Sequence, residues 1–166
     1  MAKITFKGTE VNTAGSLPQV GSKAVDLALV KDDLSDFKLS DYKGKNIVLN
    51  VFPSIDTGVC ATSVRKFNKE AAKLSNTVVL AVSADLPFAS GRFCTAEGIE
   101  NVIPASVFRT PEFGKEYGLL MIDGPLKGLL ARCVIIINPE GNISYTELVP
   151  EIGQEPDYQS AINSIV

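Results

Sequence analysis

The chain has 166 residues, 45% of them apolar and 21% charged, with a formal net charge of -3. That length fits a single domain spanning 1–166 with a sizeable core, and the mildly acidic balance gives no reason to expect a nucleic-acid partner. Histidine is absent, which excludes Ser-His-Asp and Cys-His hydrolases and histidine-bearing zinc sites, because each needs an imidazole.

No run reaches the roughly 18 apolar residues of a membrane span, and the opening MAKITFK lacks the apolar stretch of a secretory signal. A soluble cytoplasmic protein is expected, with no membrane contact. Three cysteines are too few for a disulfide scaffold.

In chain order, residues 4–6 and 11–13 read as the arms of a small hairpin turning at Gly8. A loop around Pro18 and Gly21 leads to a strand over 24–30, and DYKGK at 41–45 is a turn before the apolar run 47–52. That run, IVLNVF, and VVLAVS at 78–83 are short, apolar and bounded by turn residues, as central strands are. Between them Cys60, Val64, Phe67, Ala71 and Leu74 recur at spacings of four, three, four and three, which predicts a helix with its core stripe led by Cys60. Two such strands around one helix imply a parallel βαβ unit.

A helix over 87–97 weakened by Gly91, a brief strand at 102–103 and a short helix over 111–117 follow. The run 131–138, the turn PEGN at 139–142 and the run 143–149 form a hairpin, and 157–166 closes the chain as a helix. A βαβ unit, a connecting segment, a hairpin and a final helix make up the α/β arrangement of a thioredoxin-like fold, a central mixed sheet flanked by helices, with the N-terminal β-hairpin added. Fold alone names no activity.

The stretch PSIDTGVC at 53–60 joins the first central strand to the helix. A helix beginning near residues 57–59 puts Cys60 in its first turn, where free N–H groups and the positive end of the dipole favour a thiolate. Thr57 can cap that helix, Pro53 ends the strand without leaving an amide donor, and Gly58 leaves the approach to the sulfur open. The same spacing also fits an inert buried cysteine on a core stripe.

Pro53, Thr57 and Cys60 stand in the Pro-x-x-x-Thr-x-x-Cys pattern of the peroxiredoxins. Together with NVFPSIDTGVCATSVRKFN, SADLPFASGRFC, DGPLKGLLAR and EPDY, in that order, the chain closely resembles the bacterial thiol peroxidases, an atypical two-cysteine subgroup. The resemblance implies a thiol-dependent peroxidase in antioxidant defence, with Cys60 as the peroxidatic nucleophile that becomes a sulfenic acid. It implies Thr57 as the hydroxyl at that site, Pro53 as its shield and Arg132 as the guanidinium stabilising negative charge. It further implies Cys94 as the resolving thiol of an intramolecular Cys60–Cys94 disulfide, thioredoxin as reductant, a homodimer, alkyl or lipid hydroperoxides besides hydrogen peroxide as substrates, and no cofactor.

A Cys60–Cys94 bond between separate helices requires movement, because bonded cysteines have Cα atoms about 4.4–6.8 Å apart. Alternation places Arg132 and Cys133 on opposite sides of their strand, so Cys133 is read as a core thiol. The other classes considered are a thioredoxin-like binding or chaperone module without peroxide turnover, and a thiol–disulfide oxidoreductase, which the missing Cys-x-x-Cys disfavours. The three scattered cysteines, with no histidine, also argue against a metal site.

Overall fold

The computed structural model describes residues 1–165. A two-stranded antiparallel sheet, β1 (Lys3–Phe6) and β2 (Thr9–Asn12), stands beside a seven-stranded mixed sheet. Lys7 and Gly8 both take positive φ, 51° and 81°, the pairing that a tight right-twisted hairpin turn requires.

The large sheet has the order β4-β3-β7-β6-β5-β8-β9, built from β3 (Ala28–Val30), β4 (Asp36–Lys38), β5 (Asn46–Val51), β6 (Thr77–Ser83), β7 (Ile103–Ser106), β8 (Cys133–Ile137) and β9 (Ile143–Leu148). The helices are α1 (Gly58–Ala71), α2 (Pro87–Glu97), α3 (Glu112–Glu116) and α4 (Tyr158–Asn163). β5 and β6 run parallel around α1, as the two apolar runs imply, and β6 and β7 are parallel around α2. β8 joins β5 antiparallel and turns back into β9.

Several expectations change in detail. The expected strand at 24–30 is confined to Ala28–Val30. Its earlier residues bond elsewhere, the Ala24 amide donating to the Gly141 carbonyl at 3.0 Å and the Asp26 carboxylate accepting from the Ser40 amide at 3.1 Å. The partner strand β4, read DFK with only Phe37 buried, is too short to leave a periodic signal. α1 ends at Ala71, so Leu74 lies beyond it in a following turn. The brief strand at 102–103 is longer, Ile103–Ser106, and the short helix at 111–117 is one turn, Glu112–Glu116. β8 begins at Cys133, not at residue 131. The closing helix starts after Asp157, whose carboxylate caps it by accepting from the Ser160 amide, and the last residue of the expected range, Val166, lies outside the described residues.

Alternation along β5 divides the core. Ile47, Leu49 and Val51 face one cluster with Leu80, Val82, Cys133 and Ile135. Val48 and Phe52 face the other with Cys60, Val64, Phe67, Val134 and Ile136. Each buried aliphatic or aromatic side chain contributes roughly 1.5–3 kcal/mol. Cys60 is thus packed between α1 and the sheet.

The N-terminal hairpin is fastened to the loop after β9. The Ile152 amide donates to the Thr5 carbonyl at 2.9 Å, and the Glu151 carboxylate accepts from the Thr5 hydroxyl at 2.5 Å and the Lys7 amide at 3.0 Å. The Thr5 hydroxyl, followed by the Gly153 amide, holds the Glu151 carboxyl down to about 2 from an ordinary 4.5. A depressed carboxyl stabilises the fold fully above its unfolded value and loses that contribution as pH falls through the folded one. Urea midpoints of the protein and of Glu151→Gln are therefore expected to differ at pH 7 and to converge as pH falls from about 4.5 towards about 2. A constant gap over that window would show that the carboxylate charge does not contribute.

Candidate active site

β5 ends at Val51, and residues 52–57 cross from the sheet to α1. Phe52, Pro53 and Ile55 are buried in this crossing, whereas Asp56, Thr57 and Gly58 are exposed. Asp85, just after β6, holds the crossing in shape: its carboxylate accepts from the Ser54 hydroxyl at 2.8 Å, the Ile55 amide at 2.7 Å and the Ser83 hydroxyl at 2.8 Å.

Thr57 is the N-cap of α1. Its hydroxyl accepts from the Cys60 amide at 3.3 Å and donates to the Ser54 carbonyl at 3.3 Å. Cys60 therefore sits in the first turn of α1, as expected from the spacing, with its side chain wholly buried. A β-carbon built at Gly58 would meet nothing within 4 Å, so the mouth of the helix is open on that side.

Arg132 approaches from the other direction. It precedes β8 and is 1% exposed. Its Nη2 donates to Cys60 Sγ at 3.3 Å and its Nε to the Ile152 carbonyl at 2.9 Å, while Nη1 has no hydrogen-bond partner among the described residues. No carboxylate forms an ion pair with it among the described residues; Glu155, the acid whose charge it reaches, is held by Lys66 at 3.0 Å. A buried cation without an anion is costly. Besides the Ile152 carbonyl, the group it touches is the Cys60 sulfur, so the guanidinium and the first-turn amides of α1 converge on that atom.

The structure thus brings Cys60, Thr57 and Arg132 together, with Pro53 buried in the adjoining crossing. It leaves Cys94 apart, on α2, and all three cysteines are free. Cys94 is half-buried, and burial, followed by the charge of Asp32, pushes its thiol up to about 11. Cys133 points into the opposite core cluster from Cys60, as strand alternation requires, and burial, with Glu147 behind it, raises its thiol well above the ordinary range.

Sequence reasoning missed Asp85, the Ile152 carbonyl, and a buried polar bridge under the helix. In that bridge Asn50 Nδ2 donates to Ser63 Oγ at 3.1 Å, and Ser63 Oγ donates to the Cys60 carbonyl at 2.7 Å. One signal was available: Asn50 interrupts the apolar run 47–52, and a polar residue in a central strand needs a partner.

Residues 19–162 match the family model described as Redoxin. The chain is 54% identical over 165 residues to a thiol peroxidase of Corynebacterium glutamicum, with 99% of each chain covered. It is 53% identical over 165 residues to a thiol peroxidase of Mycobacterium tuberculosis, again with 99% of each covered. Among solved structures, a peroxiredoxin-like protein from Aquifex aeolicus matches with a TM-score of 0.93 at 41% identity, covering 98% of this chain and 95% of that one. A thiol peroxidase from Chromobacterium violaceum, 18% identical, shares the fold with a TM-score of 0.89 over 97% of this chain and 93% of its own. With near-complete coverage at more than half identity, on a thioredoxin-like sheet, the chain belongs to the redoxin family, among the bacterial thiol peroxidases of the peroxiredoxin type.

Proposed function

We propose that the 166-residue chain acts as one domain that reduces hydroperoxides at Cys60. The observation that carries this reading is the buried guanidinium of Arg132, free of any ion pair among the described residues and 3.3 Å from Cys60 Sγ. The Cys60 thiolate attacks one oxygen of the peroxide, the O–O bond breaks, and the departing oxygen takes a proton to leave as water or an alcohol. Cys60 becomes a sulfenic acid. Arg132 has Nη2 on the sulfur and Nη1 unpartnered, which leaves a donor for an oxygen carrying developing charge. Pro53 and Phe52 shield the sulfur. Phe52 and Ile55 in the same cluster, with Phe88 at 67% exposure on α2, suit the organic tail of an alkyl or lipid hydroperoxide, besides hydrogen peroxide itself.

In the second half of the cycle Cys94 attacks the Cys60 sulfenic acid. The S–O bond breaks as the S–S bond forms, and the lost hydroxide and the Cys94 proton leave as water. Reduction of this intramolecular disulfide by thiol–disulfide exchange with thioredoxin closes the cycle. The setting is the cytoplasm, and the working form is a homodimer.

Thr57 orders the first turn that carries the nucleophile. Thr57→Val is expected to slow peroxide reduction and to cost about 0.5–2 kcal/mol of stability, the usual value of a lost cap, while Thr57→Ser keeps both; stopped-flow rates and urea midpoints check this. Equal rates in all three forms would remove the hydroxyl from the mechanism.

The reading is tested by a disulfide map. Reduced protein receives one equivalent of cumene hydroperoxide, free thiols are blocked, and linked peptides are located by mass spectrometry. The expected result is one intramolecular Cys60–Cys94 link with Cys133 free, reversed by reduced thioredoxin. Three free thiols with the peroxide unspent would instead favour a binding module of the same fold.

A further inference from the structure

α2, which carries Cys94, is weakly anchored. Pro87 alone among its residues is fully buried, no side chain caps its N-terminus, and Gly98 at φ 65° ends it immediately after Glu97. The helix packs against β7, and near Cys94 its side chains are also tied to α1. Arg65 Nε donates to Glu97 Oε2 at 3.1 Å and Arg65 Nη2 to Glu97 Oε1 at 2.8 Å, a two-pronged pair. The same guanidinium lies 5.6 Å from the ring centroid of Phe93, the residue before Cys94, and Phe93 packs against the cluster that contains Cys60. Arg65 thus grips the helix at residues 93 and 97, on either side of Cys94, and does so from the helix that carries Cys60. The other ion pair from α2 towards the α1 entrance, Arg92 with Asp56, is longer at 3.8 Å. Beyond α2, Asn68 Oδ1 accepts from the amides of Glu100 and Asn101 at 3.2 and 2.8 Å.

We propose that Arg65 is a positioning residue that clasps α2 to α1 and so sets the rate at which Cys94 reaches oxidised Cys60, relative to the rate at which Cys60 meets peroxide. This rests on the Cys60–Cys94 cycle proposed above. Docked, Cys94 is half-buried and held as a thiol, and Cys60 is wholly buried. Disulfide formation therefore waits for this part of α2 to leave, and the contacts broken on leaving include the two-pronged pair and the ring contact. The peroxide step, which uses Cys60 and Arg132, breaks neither. While the clasp holds, the sulfenic acid is exposed to a second peroxide, which would carry it to the sulfinic acid, releasing a second water or alcohol.

The test is rapid-mixing kinetics on the full chain with cumene hydroperoxide, comparing wild type, Arg65→Met and Glu97→Gln. Sulfenic acid formation and disulfide formation are read separately by quenching into dimedone and into a thiol-blocking reagent, followed by mass spectrometry. Sulfenic acid formation is expected to stay within about twofold in all three. Disulfide formation is expected to accelerate by about three- to fivefold in Arg65→Met and by less in Glu97→Gln, which keeps the ring contact. Sulfinic acid accumulation at high peroxide should fall in step. Wild-type disulfide formation should also quicken with added salt, which screens the pair, and that response should vanish in Arg65→Met. Disulfide rates equal to or below wild type in both variants would overturn the proposal, as would an equal change in both steps, which would place Arg65 in the chemistry of Cys60. Wild-type protein that forms a sulfenic acid but no Cys60–Cys94 link would sink the underlying cycle instead, and the clasp with it.

Discussion

Peroxide consumption is expected to fall to background when Cys60 is replaced by serine, a loss on the order of 10⁶-fold if this sulfur is the sole nucleophile. The two side chains are nearly equal in size, so packing between α1 and the sheet, where Cys60 is wholly buried, changes little. What changes is the nucleophile. A serine hydroxyl beside Arg132 stays protonated at neutral pH, and oxygen is a poor attacker of a peroxide bond. Neither remaining cysteine can substitute: Cys133 lies in the opposite core cluster, and burial holds both its thiol and that of Cys94 well above the ordinary range. An unfolding midpoint close to wild type would separate lost chemistry from a lost fold. Substantial consumption by the folded variant would mean that the reacting sulfur is another one.

The second large effect is expected at Arg132. Arg132→Lys preserves the charge but replaces a planar fork with a single flexible ammonium. In the present geometry the guanidinium reaches Cys60 Sγ with Nη2 and the Ile152 carbonyl with Nε at once, leaving Nη1 unpartnered among the described residues. The three N–H bonds of a lysine radiate from one nitrogen and cannot reach these separate positions at once, so the peroxide step is expected to slow by about 10²–10³-fold, the scale seen when one donor to developing charge is removed. Arg132→Met, which removes the charge as well, should slow it further. Stopped-flow measurement of sulfenic acid formation reads this directly; a Lys variant as fast as wild type would take Arg132 out of the reaction.

The parts of this protein that could be read without a structure are those carried by local pattern. The apolar runs at 47–52 and 78–83, and the stripe from Cys60 to Ala71, fall on β5, β6 and α1 because a buried strand and an amphipathic helix impose their periods on the chain. Thr57 as cap and Cys60 one turn into the helix follow from the same local chemistry, and the cap bond is present at 3.3 Å. What could not be read depends on residues distant in sequence. β4 exists because Phe37 pairs with Leu29 across a hairpin, a register that three residues do not encode. Asp85 shapes the crossing from 30 residues away, and Arg132 meets Cys60 across 72. On residue type alone Arg132 reads as a surface partner for a carboxylate; its near-complete burial against a sulfur comes from the return of β8 beside β5.

The most direct measurement uses Cys94→Ser protein, so that oxidised Cys60 has no resolving thiol. Pre-reduced protein receives one equivalent of cumene hydroperoxide in the presence of dimedone, and the products are read by peptide mass spectrometry. A single dimedone adduct on Cys60, formed in step with loss of the peroxide and absent from Cys133, is the predicted result. An adduct on Cys133, or unspent peroxide with Cys60 unmodified, would contradict the account.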